Sequence, residues 1–128
     1  MTKLTLAYWC VLVAALMPFV CAGISKWGRD SQYNNKRPRE WERTLQGYRA
    51  RANAAQANCW EALPFFAAAV IIAHQLQVTQ SSINYLSLAF IAARVVYIGT
   101  YLANIHVART LVWIAGLAIN IWIFLLAV

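Results

Sequence analysis

Hydrophobic positions gather in four long runs. Residues 4–24 are almost continuously apolar, long enough to cross a bilayer as a helix. A second run begins near residue 52 and ends near 74. Only 62–73 of it is strictly apolar; the first half is alanine-rich and carries Asn53, Gln56, Asn58 and Glu61. A third spans about 83–103 and a fourth 111–128. The pattern predicts an all-α integral membrane four-helix bundle, one domain over residues 1–128. The first run reads as a retained span. A signal peptide would have a shorter apolar core and a small-x-small site after it. A lipoprotein site at Cys21 fails because Pro18 sits three residues before it. Pro18 and Pro64 should bend their helices, and Pro64 leaves the carbonyl of Trp60 without an amide donor.

The connections differ in kind. Residues 25–40 are long and polar, with Asn34, Asn35 and Pro38 marking a loop. Helical character is expected to resume near Trp41 and continue through Arg51. Residues 75–82 carry no charge and read as a short turn on the far side, and 104–109 form a second connection on the basic side. Gly116 and Asn120, one turn apart in the last run, read as helix packing.

Composition agrees with the pattern. The chain is 62% hydrophobic, against about 45–50% in soluble domains. Net charge is +7, and eight of the eleven basic residues lie between Lys26 and Arg51. That placement marks a cytoplasmic loop, with both termini non-cytoplasmic and Arg109 on the cytoplasmic face. Because the flanking spans account for the basic block, no nucleic-acid partner is expected. Three cysteines, an odd number in apolar surroundings, argue against a disulfide framework. With no CxxC and no His/Cys cluster, no metal site is expected. Cys59, beside Asn58, reads either as a reactive thiol or as a buried small hydrophobe, the commoner role.

Glu61 is the only acid after residue 42, and a carboxylate in an apolar span is costly. Arg51, Asn58 and Glu61 share helical spacing, as do Arg94, Tyr97 and Tyr101 on the third run. A short turn near residues 77–78 makes the second and third spans antiparallel neighbours. Glu61 then lies at the depth of Arg94, and Asn58 at that of Tyr97. An ion pair between Glu61 and Arg94 would make both charges tolerable. Arg51 and Arg109 flank the rim. Cations, tyrosine hydroxyls, an amide and one acid suit a zwitterionic or anionic polar molecule at a membrane interface. Singly, each residue has a plainer role: a buried pair for Glu61 and Arg94, packing for the tyrosines, interfacial anchoring for Arg51, Arg109, His74 and His106.

The stretch RANAAQANCWEALPFF resembles the second-helix motif of the MAPEG superfamily, the membrane-associated proteins of eicosanoid and glutathione metabolism. Arg51-Ala52, Asn58, Glu61 and Pro64 carry it. AARVVYIGTYLANIHVARTL resembles the family's third helix and following turn, supplying Arg94, Tyr97, Tyr101 and Arg109. The resemblance covers nearly the whole chain. It implies a left-handed four-helix bundle that forms a homotrimer, with glutathione bound between subunits near the cytoplasmic face. Arg109, at the start of the last helix, matches the arginine that favours the glutathione thiolate. Arg51, Asn58, Glu61, Arg94, Tyr97 and Tyr101 would bind the cofactor. The chain departs from the leukotriene- and prostaglandin-synthase branches at Ala54, where they carry Arg, and from the leukotriene branch at Ala62, where it carries Tyr. Its shape is nearer the compact prokaryotic members, which points to a bacterial inner membrane.

Three functions compete. The first is a glutathione-dependent transferase or peroxidase acting on a lipophilic electrophile. The second is a non-catalytic membrane protein that binds lipid or serves as a structural scaffold. A small ion or proton transporter would rest on the intramembrane charges alone.

Overall fold

The computed structural model describes residues 3–128. Helix α1 spans Leu6–Lys26, α2 Pro38–Arg43, α3 Gly47–Gln75, α4 Gln80–Leu102 and α5 His106–Leu125. Among the described residues there is no strand. Helices α1, α3, α4 and α5 are each long and apolar enough to span a membrane, and together they form the four-helix bundle that the apolar runs predict. Pro18 and Pro64 both lie inside helices that continue past them.

The core follows from small residues at coiled-coil spacing. On α1, Ala7, Cys10, Ala14, Met17 and Cys21 are buried; on α3, Ala52, Ala55, Cys59, Phe66, Ala69, Val70 and Ala73 are buried. Spacings near 3.5 residues keep each stripe on one face, and small side chains let two helices approach closely. Accordingly α1 and α3 share the most extensive contact in the bundle. Phe66 stacks on Phe90 of α4 at 4.1 Å between ring centroids, closing the centre.

The basic connection is more structured than a loop followed by one continuous helix. Pro38 opens α2, as proline does at a first helical position. The chain breaks at 44–46 and α3 restarts at Gly47, whose φ of +63° is a left-handed value that favours glycine. The expected helix from Trp41 through Arg51 is therefore two helices. Arg49 fixes the break. Its guanidinium, 10% exposed, donates to the carbonyls of Ser25 (3.0 Å) and Trp27 (2.6 Å) and to Asp30 Oδ1 (2.7 Å). Gly28 sits under this contact at φ +92°, and a Cβ there would meet Asp30 Oδ1 at 2.8 Å. Trp41 donates Nε1 to the Ser31 carbonyl at 2.7 Å, pinning α2 onto the same loop.

The other two connections are tight for one shared reason. Gln77 and Asn104 take left-handed φ values of 56° and 61°. Val78 N–H donates to Ala73 O and Gln77 N–H to His74 O; Ile105 N–H donates to Thr100 O and Asn104 N–H to Tyr101 O. Both are Schellman caps, which satisfy the last carbonyls and reverse the chain within a few residues. The second cap brings α5 back alongside α4 and sets Arg109 near Tyr101.

Candidate functional site

Helices α3, α4 and α5 leave a cleft between them. A cavity of about 320 Å³ is lined by Asn58, Glu61 and Ala62 of α3, Phe90 and Arg94 of α4, and Trp113, Gly116 and Asn120 of α5, among others. A second, of about 220 Å³, is lined by Asn58, Tyr97, Arg109, Thr110 and Trp113. Asn58 and Trp113 border both, so the two are adjoining parts of one polar recess. Ala62 leaves open the space that a larger side chain would fill.

Antiparallel pairing of α3 and α4 sets the depths as expected. Glu61 lines the same cavity as Arg94, and Asn58 the same cavity as Tyr97. The ion pair, however, does not form. Among the described residues the ion pairs are Arg37–Glu40, Arg39–Glu42 and Arg49–Asp30. Arg94, only 4% exposed, instead donates Nη2 to Cys59 Sγ at 3.3 Å. The reason is azimuth. At 100° per residue, Cys59 and Glu61 point in nearly opposite directions from α3. Cys59 faces the core and Arg94, while Glu61 is exposed at the open side of the recess.

Four residues form a continuous cation–aromatic ladder. The Arg94 guanidinium lies 4.3 Å from the Tyr97 ring centre, Tyr97 meets Tyr101 edge-on at 5.7 Å, and Arg109 lies 4.3 Å from the Tyr101 ring. Each contact of this kind contributes of the order of 1 kcal/mol where solvent is excluded. The ladder aligns two fixed cations along one wall. Arg109 stands in the first turns of α5, where the helix begins earlier than the sequence pattern suggests. That end carries no acidic residue in its first turn and no side-chain cap at Ile105. Free N–H groups and the positive end of the helix dipole already favour an anion there, and Arg109 adds a full charge to them.

Among the described residues three buried side-chain oxygens have no partner: Asn58 Oδ1, Ser87 Oγ and Asn120 Oδ1. Two of the three line the recess. Buried acceptors left open cost about 1–3 kcal/mol each, so a hydrogen-bond donor placed in the recess would be favoured there. Asn120 went unrecognised in the sequence as a site residue. The signal was present: it is the one amide in an otherwise apolar last span.

Arg51 stands apart. Its Nε donates to the Leu102 carbonyl at 3.1 Å, so it caps the C-terminus of α4, where a cation opposes the negative end of the dipole. It borders neither cavity. The structure thus joins Asn58, Glu61, Arg94, Tyr97 and Arg109 around one recess, with Tyr101 beneath Arg109, and leaves Arg51 on the rim. Among the described residues no group of three or more His, Cys, Asp or Glu side chains could hold a metal.

Four apolar spans around a polar recess near one end define an integral membrane protein with a binding site between its helices. The chain belongs to the MAPEG family, whose model matches residues 6–128, essentially its full length. That membership places it in the superfamily concerned with glutathione and eicosanoid metabolism. No curated protein and no solved structure matches it.

Proposed function

We propose that this protein is a membrane-embedded glutathione-dependent transferase or peroxidase acting on lipophilic electrophiles. The observation that carries the reading is the recess itself: two cations, one carboxylate and two unpartnered amide oxygens around a common space. Glutathione has two carboxylates, an ammonium, two amides and a thiol, and this donor set fits it. Arg94 and Arg109 suit the carboxylates or the sulfur, Glu61 suits the ammonium, and Asn58 and Asn120 suit N–H donors. Bound there, glutathione would supply a thiol nucleophile. A thiol with a pKa near 8.5 is mostly protonated at neutral pH, and Arg109 at the α5 N-terminus is the group that would hold negative charge on its sulfur. Tyr101 orients Arg109 by lying beneath it. No protein nucleophile is needed.

Glu61 also argues for assembly. An exposed carboxylate on a membrane-facing cleft is unstable in lipid. We propose that copies of this chain cover it, as a homotrimer, so that the recess lies between subunits. The basic connection, with Arg49 and Arg51 at its end, belongs on the cytoplasmic side, and the bacterial inner membrane fits this compact form.

The test is glutathione titration of the purified protein by calorimetry, together with thiolate absorbance. Binding at millimolar glutathione or below is expected. Arg109→Ala should lower the thiolate fraction by roughly tenfold, about one pKa unit, without changing the oligomer. No binding at millimolar concentration would sink the reading. A second reading, a non-catalytic lipid-binding or structural protein, draws on the internal engagement of Arg51 with Leu102 and of Arg94 with Cys59. It requires the Arg109 substitution to leave every measurement unchanged.

A further inference from the structure

The glutathione reading leaves the protein's own thiols unused. Cys21 on α1 and Cys59 on α3 are both buried, and they pack with Met17 and Ala55 in a small cluster separate from the main core. They sit on the buried stripes of α1 and α3, the two helices in most extensive contact. Cys59 also receives the hydrogen bond from Arg94. A guanidinium has stronger acceptors available than a sulfur. Fixed beside one, it is the partner that a nucleophilic thiol needs. Cys10 is different: it packs into the main core with Ala7, Ala14 and Phe66.

The pair also lies between two openings. An apolar groove of about 350 Å³ runs along the bundle surface, lined by Val13, Leu16, Met17, Val20, Val95 and Ile98. Val13, Leu16, Val20 and Val95 are exposed, so in the bilayer this groove meets acyl chains. Met17 and Ile98 belong both to the groove and to the cysteine cluster. On the other side, Arg94 belongs both to the polar recess and to Cys59. Met17 and Ile98 therefore stand between the cluster and the lipid side, and Arg94 between Cys59 and the recess. Met17 is unbranched and adaptable.

We propose that Cys59 and Cys21 form a redox-active dithiol that reduces hydroperoxides carried on lipid acyl chains. Cys59 sulfur attacks the terminal peroxide oxygen. The S–O bond forms, the O–O bond breaks, and the alkoxide takes up the thiol proton to leave as the lipid alcohol. Cys59 is then a sulfenic acid. Cys21 sulfur attacks Cys59 sulfur; the S–S bond forms, the S–O bond breaks, and hydroxide leaves with the Cys21 proton as water. Two thiols are oxidised by two electrons, and one hydroperoxide becomes one alcohol and one water. Arg94 favours the thiolate form of Cys59 before attack, and the negative charge passes to the departing alkoxide oxygen. A small-molecule thiol restores the pair by exchange.

The test needs no glutathione, so its failure is separate from failure of the cofactor reading. The fully reduced wild-type protein is treated in micelles with one equivalent of a fatty-acid hydroperoxide. It is then alkylated under denaturing conditions and mapped by mass spectrometry. The expected result is a peptide linking Cys21 to Cys59, an alkylated Cys10, and one equivalent of hydroxy fatty acid. Cys21→Ala should stop at a sulfenic acid on Cys59, captured by a dimedone-type probe. Cys59→Ala should leave the hydroperoxide intact, and Arg94→Gln should slow oxidation of Cys59 by roughly tenfold. Three surviving thiols, equal oxidation of Cys10, or a disulfide only between chains would overturn the proposal. The wild-type map decides even where a variant fails to assemble.

Discussion

The two ends of the bundle treat their polar groups in opposite ways. At the far end, between α3 and α4, Thr5 Oγ1 pairs with His74 Nε2 at 2.8 Å and His74 Nδ1 with the Val70 carbonyl at 2.7 Å. Asn84 Oδ1 accepts from the Ala7 amide at 3.1 Å and from Gln80 at 2.8 Å, and Tyr8 stacks on His74. Each of these groups finds its partner within the chain. In the recess, among the described residues, Asn58 and Asn120 have open acceptors and Glu61 forms no ion pair. The far end is thus a latch that holds three helix ends together. The recess leaves two buried acceptors and a carboxylate without a partner among the described residues.

Arg49 sharpens that contrast most, because it is a buried cation with no share in the recess. Arg49→Ala removes three hydrogen bonds and leaves two loop carbonyls open. A loss of about 3 kcal/mol or more is expected, read as a lowered midpoint of thermal unfolding in detergent and as faster proteolysis of the basic connection. Asp30→Ala should do far less, since the Asp30 side chain is 84% exposed. Equal effects from the two would mean that the carboxylate, rather than the backbone carbonyls, holds the loop.

The latch comes next in size. Asn84→Ala strips the acceptor from the Ala7 amide at the start of α1 and from Gln80, and should cost about 1–2 kcal/mol of stability. Glutathione affinity should not change. A ligand-binding defect in a folded Asn84→Ala protein would break the division between the two ends.

Much of this was legible in the sequence, and the reasons are physical. Four spans follow from run length, whereas the close α1–α3 contact emerged only with the structure. Depth within the membrane followed from the shortness of one turn, which is why Asn58 and Tyr97 share a cavity as expected. Azimuth did not follow. One position along a helix is 100° around it, so depth alone could not choose between Cys59 and Glu61 as the neighbour of Arg94. The break before Gly47 was hidden because it depends on Arg49 reaching back to carbonyls more than twenty residues earlier. The Schellman caps were hidden because Gln77 and Asn104, not glycine, occupy the left-handed positions.

The smallest effects belong to the recess, and they have the opposite sign. An open buried acceptor destabilises the protein without its ligand. Asn120→Leu replaces that amide with an apolar group of similar volume, so the variant should unfold about 1 kcal/mol harder than wild type in the absence of ligand. The same change removes an acceptor from the ligand, and glutathione affinity should fall by roughly tenfold, about 1.4 kcal/mol. Stability gained and binding lost in one substitution is the signature of a group retained for a ligand. A latch residue loses stability and leaves binding alone. Both quantities come from one pair of melting curves, with and without glutathione, because a ligand that binds only the folded protein raises its midpoint. If Asn120→Leu lowers the ligand-free midpoint, the amide is bonded within the assembled protein, and the recess at that depth is a packing surface like the far end.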